Sequence, residues 1–242
     1  MKSLTRLVEG NHTVVNTLRD SSDDRRMAET IKHLTIHKQI MANKVECVLF
    51  DLGGVVVELT GVETMIAWSG GNITEEDVWH RWLHSEAVRS FESGKIEIAQ
   101  FGVELVEELG LVVTPEEFLR GFGSWLGGTY RGTEQIIPSL RKSVSVGCLS
   151  NTNPLHWEIM TNQFTLHELF DHHFLSFEIG MMKPDREIFE HVVESVGIPP
   201  RKILYFDDNK LNVEGAKSVG MISRHAKGME EVQTILREEG MM

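Results

Sequence analysis

The sequence predicts an α/β protein in which a Rossmann-like, doubly wound parallel sheet carries an inserted helical cap subdomain. Short apolar runs rich in β-branched residues alternate with helical patterns of roughly 10–15 residues, as in βαβ units. One interval between two apolar runs is too long for a single crossover and is itself helical in pattern. Several apolar runs end in polar residues, and ligands of such sheets bind at the carboxyl ends of the strands.

Residues 1–43 precede the first strong strand and are predicted to be an N-terminal extension that is not native or is poorly ordered. They combine scattered apolar residues with a polar run at 19–26 and contain no cysteine or aromatic residue. Met41 lies just before the first strand, which suggests an alternative translation start at that residue.

The core is predicted to comprise residues 44–61 and 142–242. Its first strand, at 45–52, is a continuous apolar run that ends in Asp51 and two glycines, as expected of a buried parallel strand before a tight turn. Four further strands are predicted at 144–149, 174–177, 202–206 and 220–224. The helices between them are predicted at 155–164, 185–196 and 209–219.

The cap is predicted to be residues 62–141. Helical patterns cover 75–83, 96–109 and 115–122, and a structureless connection of this length is uncommon in a compact domain. Four tryptophans of this region are expected to pack the cap, although one could line a substrate pocket: Trp68, Trp79, Trp82 and Trp125.

The composition disfavours several classes of protein. The chain has 242 residues, with 24 Lys and Arg against 36 Asp and Glu, so its formal net charge is -12. Nucleic-acid binders and proteins that bind anionic membranes usually need clustered basic residues. No apolar run approaches the ~20 residues of a membrane span. The two cysteines, Cys47 and Cys148, lie in apolar runs, which fits a reducing, cytoplasmic location without disulfides.

Four polar motifs follow predicted strands or precede predicted helices. Their central residues are Asp51 in Phe-Asp-Leu-Gly-Gly-Val, Ser150 and Asn151 in Leu-Ser-Asn-Thr-Asn, Lys183 in Gly-Met-Met-Lys-Pro-Asp, and Asp207 and Asp208 in Phe-Asp-Asp-Asn. Each motif alone could be a turn or a helix cap. Together they provide what phosphoryl transfer requires, namely an attacking oxygen, ligands for a divalent cation and donors for the developing charge.

The residue types suggest a role for each group. The Asp51 carboxylate can attack phosphorus, while Lys183 neutralises the phosphate and the nucleophile. Ser150 and the Asn151 amide can donate hydrogen bonds to the phosphate. Mg²⁺ prefers hard oxygen ligands, and the candidates are Asp51, the Gly53 carbonyl, Asp208 and Asp207.

In this order on a doubly wound sheet, the motifs resemble those of the haloacid dehalogenase-like hydrolase superfamily, over about residues 45–240. The resemblance implies that Asp208 binds Mg²⁺ directly and that Asp207 acts mainly from behind it. The Asp-Leu-Gly-x-Val motif is similar to that of a bacterial subgroup that includes α-D-glucose-1-phosphate phosphatases. The implied activity is magnesium-dependent hydrolysis of a small phosphorylated metabolite, such as a sugar phosphate, through an aspartyl-phosphate.

The sequence departs from the family pattern at Gly53. Most phosphatases of the superfamily have an aspartate at this position, which protonates the leaving oxygen and then activates water. General acid–base catalysis typically contributes ~10²–10⁴ in rate, so the loss matters. An active phosphatase could use another acid–base group, or act on a substrate whose leaving group needs little help, such as an anomeric hydroxyl. Two alternatives stay open: a phosphate-binding or regulatory protein with weak or lost catalysis, and a 2-haloacid dehalogenase, which needs no metal and which the acid pair disfavours.

Two cationic residues beside the loop at 91–96 are candidates for substrate specificity, because caps of this family often place such a loop against the substrate. They are Arg89 and Lys95. The Asp-His-His run at 171–173 is not interpreted as a dedicated metal site, since adjacent strand residues point in opposite directions. His80 and His84 share a helical face and could bind a metal or face the cleft, but a solvated or core role is the preferred interpretation. The oligomeric state cannot be predicted from the sequence.

Overall fold

Seven strands form two sheets in the part of the chain, residues 44–242, that the computed structural model describes. The predicted extension, residues 1–43, lies outside the described residues. The strands are β1 (Cys47–Phe50), β2 (Val57–Leu59), β3 (Leu126–Thr129), β4 (Ser145–Ser150), β5 (His172–Leu175), β6 (Ile203–Asp207) and β7 (Ile222–His225). β2 and β3 form a small antiparallel sheet, and the other five form the core sheet.

Eleven α-helices accompany these strands in the described region. They are α1 (Val62–Trp68), α2 (Glu75–His84), α3 (Glu86–Glu92), α4 (Ile98–Leu109), α5 (Pro115–Phe122), α6 (Thr133–Leu140), α7 (Pro154–Phe164), α8 (Ser176–Ile179), α9 (Arg186–Val196), α10 (Lys210–Ser218) and α11 (Gly228–Glu238). Short 3₁₀ turns occupy Leu166–Glu168 and Pro200–Lys202. None of the helices between residues 44 and 242 is both long and apolar enough to cross a membrane.

The core sheet has the strand order β5-β4-β1-β6-β7, and all of its neighbouring strands are parallel. All four residues of β1 are buried, because this central strand is covered on both faces. The chain continues from β1 to β4 on one side and later places β6 on the other side. The order in which the chain adds strands therefore reverses beside β1, and ligands bind at such a switch point in these folds.

Alternate residues of β1 belong to two different hydrophobic clusters, one on each face of the sheet. Val48 and Phe50 lie in the first cluster, to which α6 and α11 contribute. Cys47 and Leu49 lie in the second, to which α9 and α10 contribute. This layering confirms the predicted α/β class.

The inserted helices have a hydrophobic cluster of their own, formed by residues of α1 to α5. Aromatic rings dominate it: Phe91 stacks on Phe101 with the ring centroids 4.3 Å apart. Helix α6 packs elsewhere, since its buried residues Ile136, Ile137 and Leu140 join the first cluster of the core. We therefore propose that the cap ends before β3, rather than at residue 141 as the sequence suggested.

One predicted strand is displaced in the structure. The sequence indicated a strand at 174–177, whereas β5 covers His172–Leu175 and α8 begins at Ser176. The Ser176 hydroxyl accepts from the Thr152 N–H at 3.0 Å and donates to the Thr152 carbonyl at 3.1 Å. These bonds hold residue 176 to the loop after β4, so the chain leaves the sheet there.

Candidate active site

Three strands of the core sheet bring the polar motifs to one edge. Asp51 directly follows β1, Ser150 ends β4 and Asp207 ends β6, and these three strands are neighbours. The register holds Asp51 in place, because its backbone N–H donates to the Phe206 carbonyl at 2.8 Å. A cavity of about 740 Å³ lies over this edge and extends to the inserted helices. The motif residues that line it are Asp51, Gly53, Ser150, Asn151, Lys183 and Asp208.

Lys183 is buried at the centre of the motifs. Its Nζ atom lies 2.9 Å from Asp51 Oδ2 and 2.7 Å from Asp207 Oδ2, and it donates to the Tyr205 hydroxyl at 2.9 Å. Burial alone would lower the pKa of Lys183, but the two carboxylates outweigh that effect and raise it above its ordinary value. The ammonium group is therefore a fixed positive charge beside the Asp51 carboxylate.

The Asn151 side chain holds the backbone of Lys183. Its Oδ1 atom accepts from the Lys183 N–H and its Nδ2 group donates to the Lys183 carbonyl, both at 2.9 Å. The side-chain amide is thus occupied, so any contact between Asn151 and a phosphate falls to the backbone N–H. Ser150 is buried, and its hydroxyl makes only a long 3.4 Å bond to the Asn151 carbonyl.

Asp207 is fully buried, and both of its carboxylate oxygens already accept hydrogen bonds. The donors are Lys183, the Tyr205 hydroxyl, the Asn209 N–H at 2.7 Å and the Asn212 amide at 3.0 and 3.1 Å. Asp208, by contrast, is half-buried and lines the cavity. Asp207 is therefore placed to orient Lys183, and Asp208 to face a ligand.

The carboxylates of Asp51, Asp207 and Asp208 offer oxygen atoms within 4.8 Å of one another. Burial, followed by repulsion from Asp207 and Asp208, raises the pKa of Asp51 well above its usual range, although Lys183 opposes this. Burial and Asp207 likewise raise the pKa of Asp208. A divalent cation would relieve this repulsion, and hard oxygen ligands suit Mg²⁺, so the donor set fits that ion.

The two glycines after Asp51 differ in what they tolerate. Gly54 has φ of +75°, and a Cβ atom there would lie 2.1 Å from Asp208 Oδ2. Gly53 has no such backbone constraint, and its Cβ would meet only the flexible side chain of Leu59, at 3.1 Å. Only the second glycine is thus required by the geometry of the site.

The structure places two predicted specificity residues outside this cavity. Arg89 forms an ion pair with Asp185, and it lines a separate pocket of about 150 Å³ together with Lys95. The assignment of Arg89 and Lys95 to substrate specificity stays a prediction that the lining of the main cavity does not support, whereas Glu92 of the same loop lines that cavity.

Several residues of the site were not predicted. Glu92 lies in the cavity wall with 8% exposure, and burial raises its pKa to about 7, against the effects of Trp82 and Lys183. His156 is buried, and this lowers its pKa to about 4. Tyr205 could have been found, because it lies two residues before Asp207 on the same strand and hence on the same face. Glu92 and His156 depend on contacts across the cavity, which sequence spacing does not reveal.

Comparison with known proteins agrees with this geometry. A family model described as haloacid dehalogenase-like hydrolase matches residues 45–220. A D-ribitol-5-phosphate phosphatase of Bacteroides thetaiotaomicron is 29% identical over 184 residues, which cover 72% of this chain and 87% of the relative. A sesquiterpene phosphatase of Aspergillus oryzae is 27% identical over 198 residues, which cover 76% and 91%.

A solved structure of a similar enzyme extends the comparison. It is a HAD family enzyme of Bacteroides thetaiotaomicron in complex with magnesium and inorganic phosphate. It is 26% identical to this chain, with a TM-score of 0.63, and the match covers 76% of this chain and 94% of that one.

Proposed function

Because the chain belongs to the haloacid dehalogenase-like hydrolase family, we propose that it is a magnesium-dependent phosphatase with Asp51 as its nucleophile. One observation carries the proposal: the buried Lys183 ammonium lies 2.9 Å from Asp51 Oδ2, beside the cluster of three carboxylates. The lysine can neutralise a phosphate dianion directly, and the carboxylate cluster can do so through a bound divalent cation. The two together suit a phosphate better than either alone.

The residues of the chain divide the reaction into two steps. In the first, an Asp51 oxygen attacks phosphorus, the bond from phosphorus to the alcohol oxygen breaks, and an aspartyl-phosphate forms. In the second, water attacks that phosphorus and releases inorganic phosphate together with free Asp51. The Leu52 N–H donates to Asp51 Oδ1 at 2.7 Å and Lys183 contacts Oδ2, so the nucleophile is held in one orientation.

The phosphate would be bound by Lys183, the Ser150 hydroxyl and the Asn151 N–H. Mg²⁺ would be held by Asp51, Asp208 and the Gly53 carbonyl, where it polarises the phosphoryl oxygens and neutralises charge. Asp207 keeps Lys183 in position from behind.

The test is release of phosphate from p-nitrophenyl phosphate with and without Mg²⁺. We expect magnesium-dependent turnover that Asp51→Asn abolishes. The matched control is Asp171→Asn, because Asp171 pairs with Arg141 before β5, at the opposite edge of the sheet. This control should keep the wild-type rate. Equal turnover by the Asp51 variant would refute the assignment of the nucleophile.

Gly53 favours one alternative, a phosphate-binding or regulatory protein with weak catalysis, because the usual acid–base carboxylate is replaced there. Such a protein would bind inorganic phosphate in the presence of Mg²⁺ but hydrolyse no ester. The same assay, extended to a panel of phosphate esters, separates the two functions. The proposed function does not specify the alcohol of the phosphate ester, since the similar phosphatases include one for a pentitol phosphate and one for a sesquiterpene.

A further inference from the structure

The cavity over Asp51 has a polar end and an apolar end. The polar end is the edge of the sheet, where Asp51, Ser150, Lys183 and Asp208 meet. The opposite wall is formed by the inserted helices and the loop that follows them, and it is largely aromatic and aliphatic. Its main residues are Met65, Trp79, Trp82, Leu83, Phe122 and Trp125.

Two indole N–H groups of this wall do not face the cavity as free donors. Trp79 Nε1 donates to Glu75 Oε1 at 3.4 Å. Trp125 Nε1 is buried and has no partner among the described residues. Trp79 and Trp125 therefore contribute mainly ring surface to the cavity.

The one histidine of the apolar end is also fully engaged. His156 Nε2 bonds to the Phe122 carbonyl at 2.9 Å, and its Nδ1 atom lies 3.3 Å from the Asn153 amide. Neither ring nitrogen is left for a substrate hydroxyl. Among the described residues of this wall only the Glu76 and Glu92 carboxyls could accept from a polyol or sugar, so most of its hydroxyls would lose hydrogen bonds to water without replacement. Each unpaired hydroxyl costs roughly ten-fold or more in affinity.

Three exposed apolar side chains also line the cavity. Leu59, Trp79 and Leu83 are 38%, 36% and 56% exposed, and they lie among the exposed polar lining residues Glu76, Lys210 and His225. Exposed apolar side chains grouped around one opening mark a binding site rather than ordinary surface. The cavity volume of about 740 Å³ is that of a small-molecule site and exceeds the space a phosphate needs.

We propose that the natural substrate class is the monophosphates of bulky apolar alcohols, with the phosphate at the sheet edge and a hydrocarbon skeleton against the aromatic wall. This inference rests on the proposed phosphatase function. It replaces the sugar phosphate suggested by the motifs, because the motifs describe only the polar end of the cavity.

The test compares esters that differ in the alcohol alone. Along ethyl, butyl and hexyl phosphate we expect kcat/KM to rise ~3- to 4-fold per methylene, the factor for burying that group. Hexyl phosphate should exceed sorbitol 6-phosphate, which has the same chain length, by about 100-fold or more. Equal or faster hydrolysis of the polyol ester would overturn the proposal.

A pair of surface variants links the preference to the wall. Leu83→Gln should lower kcat/KM for hexyl phosphate about five-fold and leave ethyl phosphate within two-fold. Val103→Gln is the matched control, because Val103 is similarly exposed (53% against 56%) on the inserted helices but does not line the cavity. An equal effect of both variants would contradict the assignment.

Failure of the two proposals can be told apart. If no ester releases phosphate, the phosphatase function is wrong. Calorimetric titration of the magnesium-loaded protein with hexyl phosphate and sorbitol 6-phosphate then still decides the chemistry of the wall. Tighter binding of the hexyl ester supports the apolar class, and tighter binding of the polyol ester refutes it.

A second observation concerns the proton that Gly53 cannot provide. Glu92, the last residue of α3, is a buried carboxyl in the wall of the same cavity. Its pKa of about 7, which burial raises, keeps a large fraction of it protonated at neutral pH. The other wall carboxylate, Glu76, is exposed.

We infer that Glu92 takes the acid–base role of the missing aspartate. As the bond from phosphorus to the alcohol oxygen breaks, the Glu92 carboxylic acid gives its proton to that oxygen and becomes a carboxylate. The carboxylate then accepts a proton from the water that attacks the aspartyl-phosphate, which restores the acid.

The test measures how the effect of a Glu92 variant on kcat depends on the leaving group of the ester. Glu92→Gln should lower kcat for ethyl phosphate about 100-fold but change p-nitrophenyl phosphate less than about three-fold, because nitrophenolate leaves without a proton. Adding Gly53→Asp to this variant should restore ethyl phosphate hydrolysis. Glu107→Gln, at an exposed carboxylate of α4 that does not line the cavity, should leave both rates unchanged. Equal losses on both esters after Glu92→Gln would mean a structural role and refute the inference.

Discussion

Gly53 and Gly54 lie next to each other but differ in whether a side chain can replace the hydrogen. Gly54 adopts a left-handed φ and approaches Asp208 too closely for any side chain. Gly53 meets only Leu59, whose side chain is partly exposed and can move. The family's usual aspartate could therefore be accommodated at position 53 without rebuilding the loop.

We expect Gly53→Asp to fold normally and, when combined with Glu92→Gln, to speed hydrolysis of alkyl phosphates more than that of aryl phosphates, because only alkoxides need a proton to leave. Gly54→Ala should instead lower the free energy of unfolding by about 1–3 kcal/mol through backbone strain alone, and should weaken phosphate release. Urea unfolding and steady-state kinetics of both variants check this. Unchanged or reduced rates on both ester classes for Gly53→Asp combined with Glu92→Gln would count against the leaving-group argument.

At this scale the sequence predicted the residues that belong to strand ends and missed those that belong to the cavity wall. Asp51 and Ser150 follow from the order of strands, because parallel strands bring their carboxyl ends together. Glu92 lies on an inserted helix whose orientation no local pattern specifies. The choice of Arg89 stays a prediction, and in the structure its guanidinium pairs with Asp185.

At the scale of elements, caps fix where the inserted helices begin. The Thr114 side chain accepts from the Glu117 N–H at 3.2 Å, and the Glu117 carboxylate accepts from the Thr114 N–H at 2.9 Å. This capping box, with Pro115 at the first helical position, starts α5 where the sequence predicted a helix.

Thr114→Ala should reduce the free energy of unfolding by about 1 kcal/mol, because the Glu117 N–H loses its hydrogen-bond acceptor. The matched control is Thr234→Ala within α11, where the hydroxyl only donates back to the Glu230 carbonyl at 3.0 Å. A hydroxyl bond of that kind adds little or nothing to helix stability, so this variant should unfold like wild type. Denaturant titrations of the two variants decide the matter, and equal losses would contradict the capping argument.

Elements that carry strong local signals were predicted closely. The structure has α7, α9 and α10 within about two residues of the predicted helices. The small sheet of β2 and β3 was not predicted, because its strands are three and four residues long and lie far apart in sequence. The assignment of α6 to the cap stays a prediction, although the buried residues of this helix join the first hydrophobic cluster of the core.

At the scale of the whole described molecule, His156 joins the core to the insertion. It lies on α7, and its Nε2 atom bonds to the carbonyl of Phe122 on α5. Burial lowers the pKa of His156 to about 4, so the folded protein binds fewer protons than the unfolded chain between pH 4 and about 6.5. Stability contributed by this site is complete above that range and is lost as the pH falls through it.

We expect the free energy of unfolding of wild type to fall by about 2–3 kcal/mol more than that of His156→Gln between pH 7 and 4.5. Glutamine can still donate to the Phe122 carbonyl but does not titrate in this range. Urea unfolding at several pH values measures the difference. Parallel curves for the two proteins would show that His156 does not govern the acid sensitivity.

The central position of β1 affects how rarely Asp51 leaves its place in the folded sheet. The strand is paired on both sides, and the Asp51 amide closes its end with a bond to Phe206. We expect amides of this strand to exchange with deuterium only when the entire sheet opens, and amides of the inserted helices, which have a hydrophobic cluster of their own, to exchange through local opening. The nucleophile should therefore remain in register through many local openings of the insertion, so that ligand entry need not loosen the groups that carry out the chemistry.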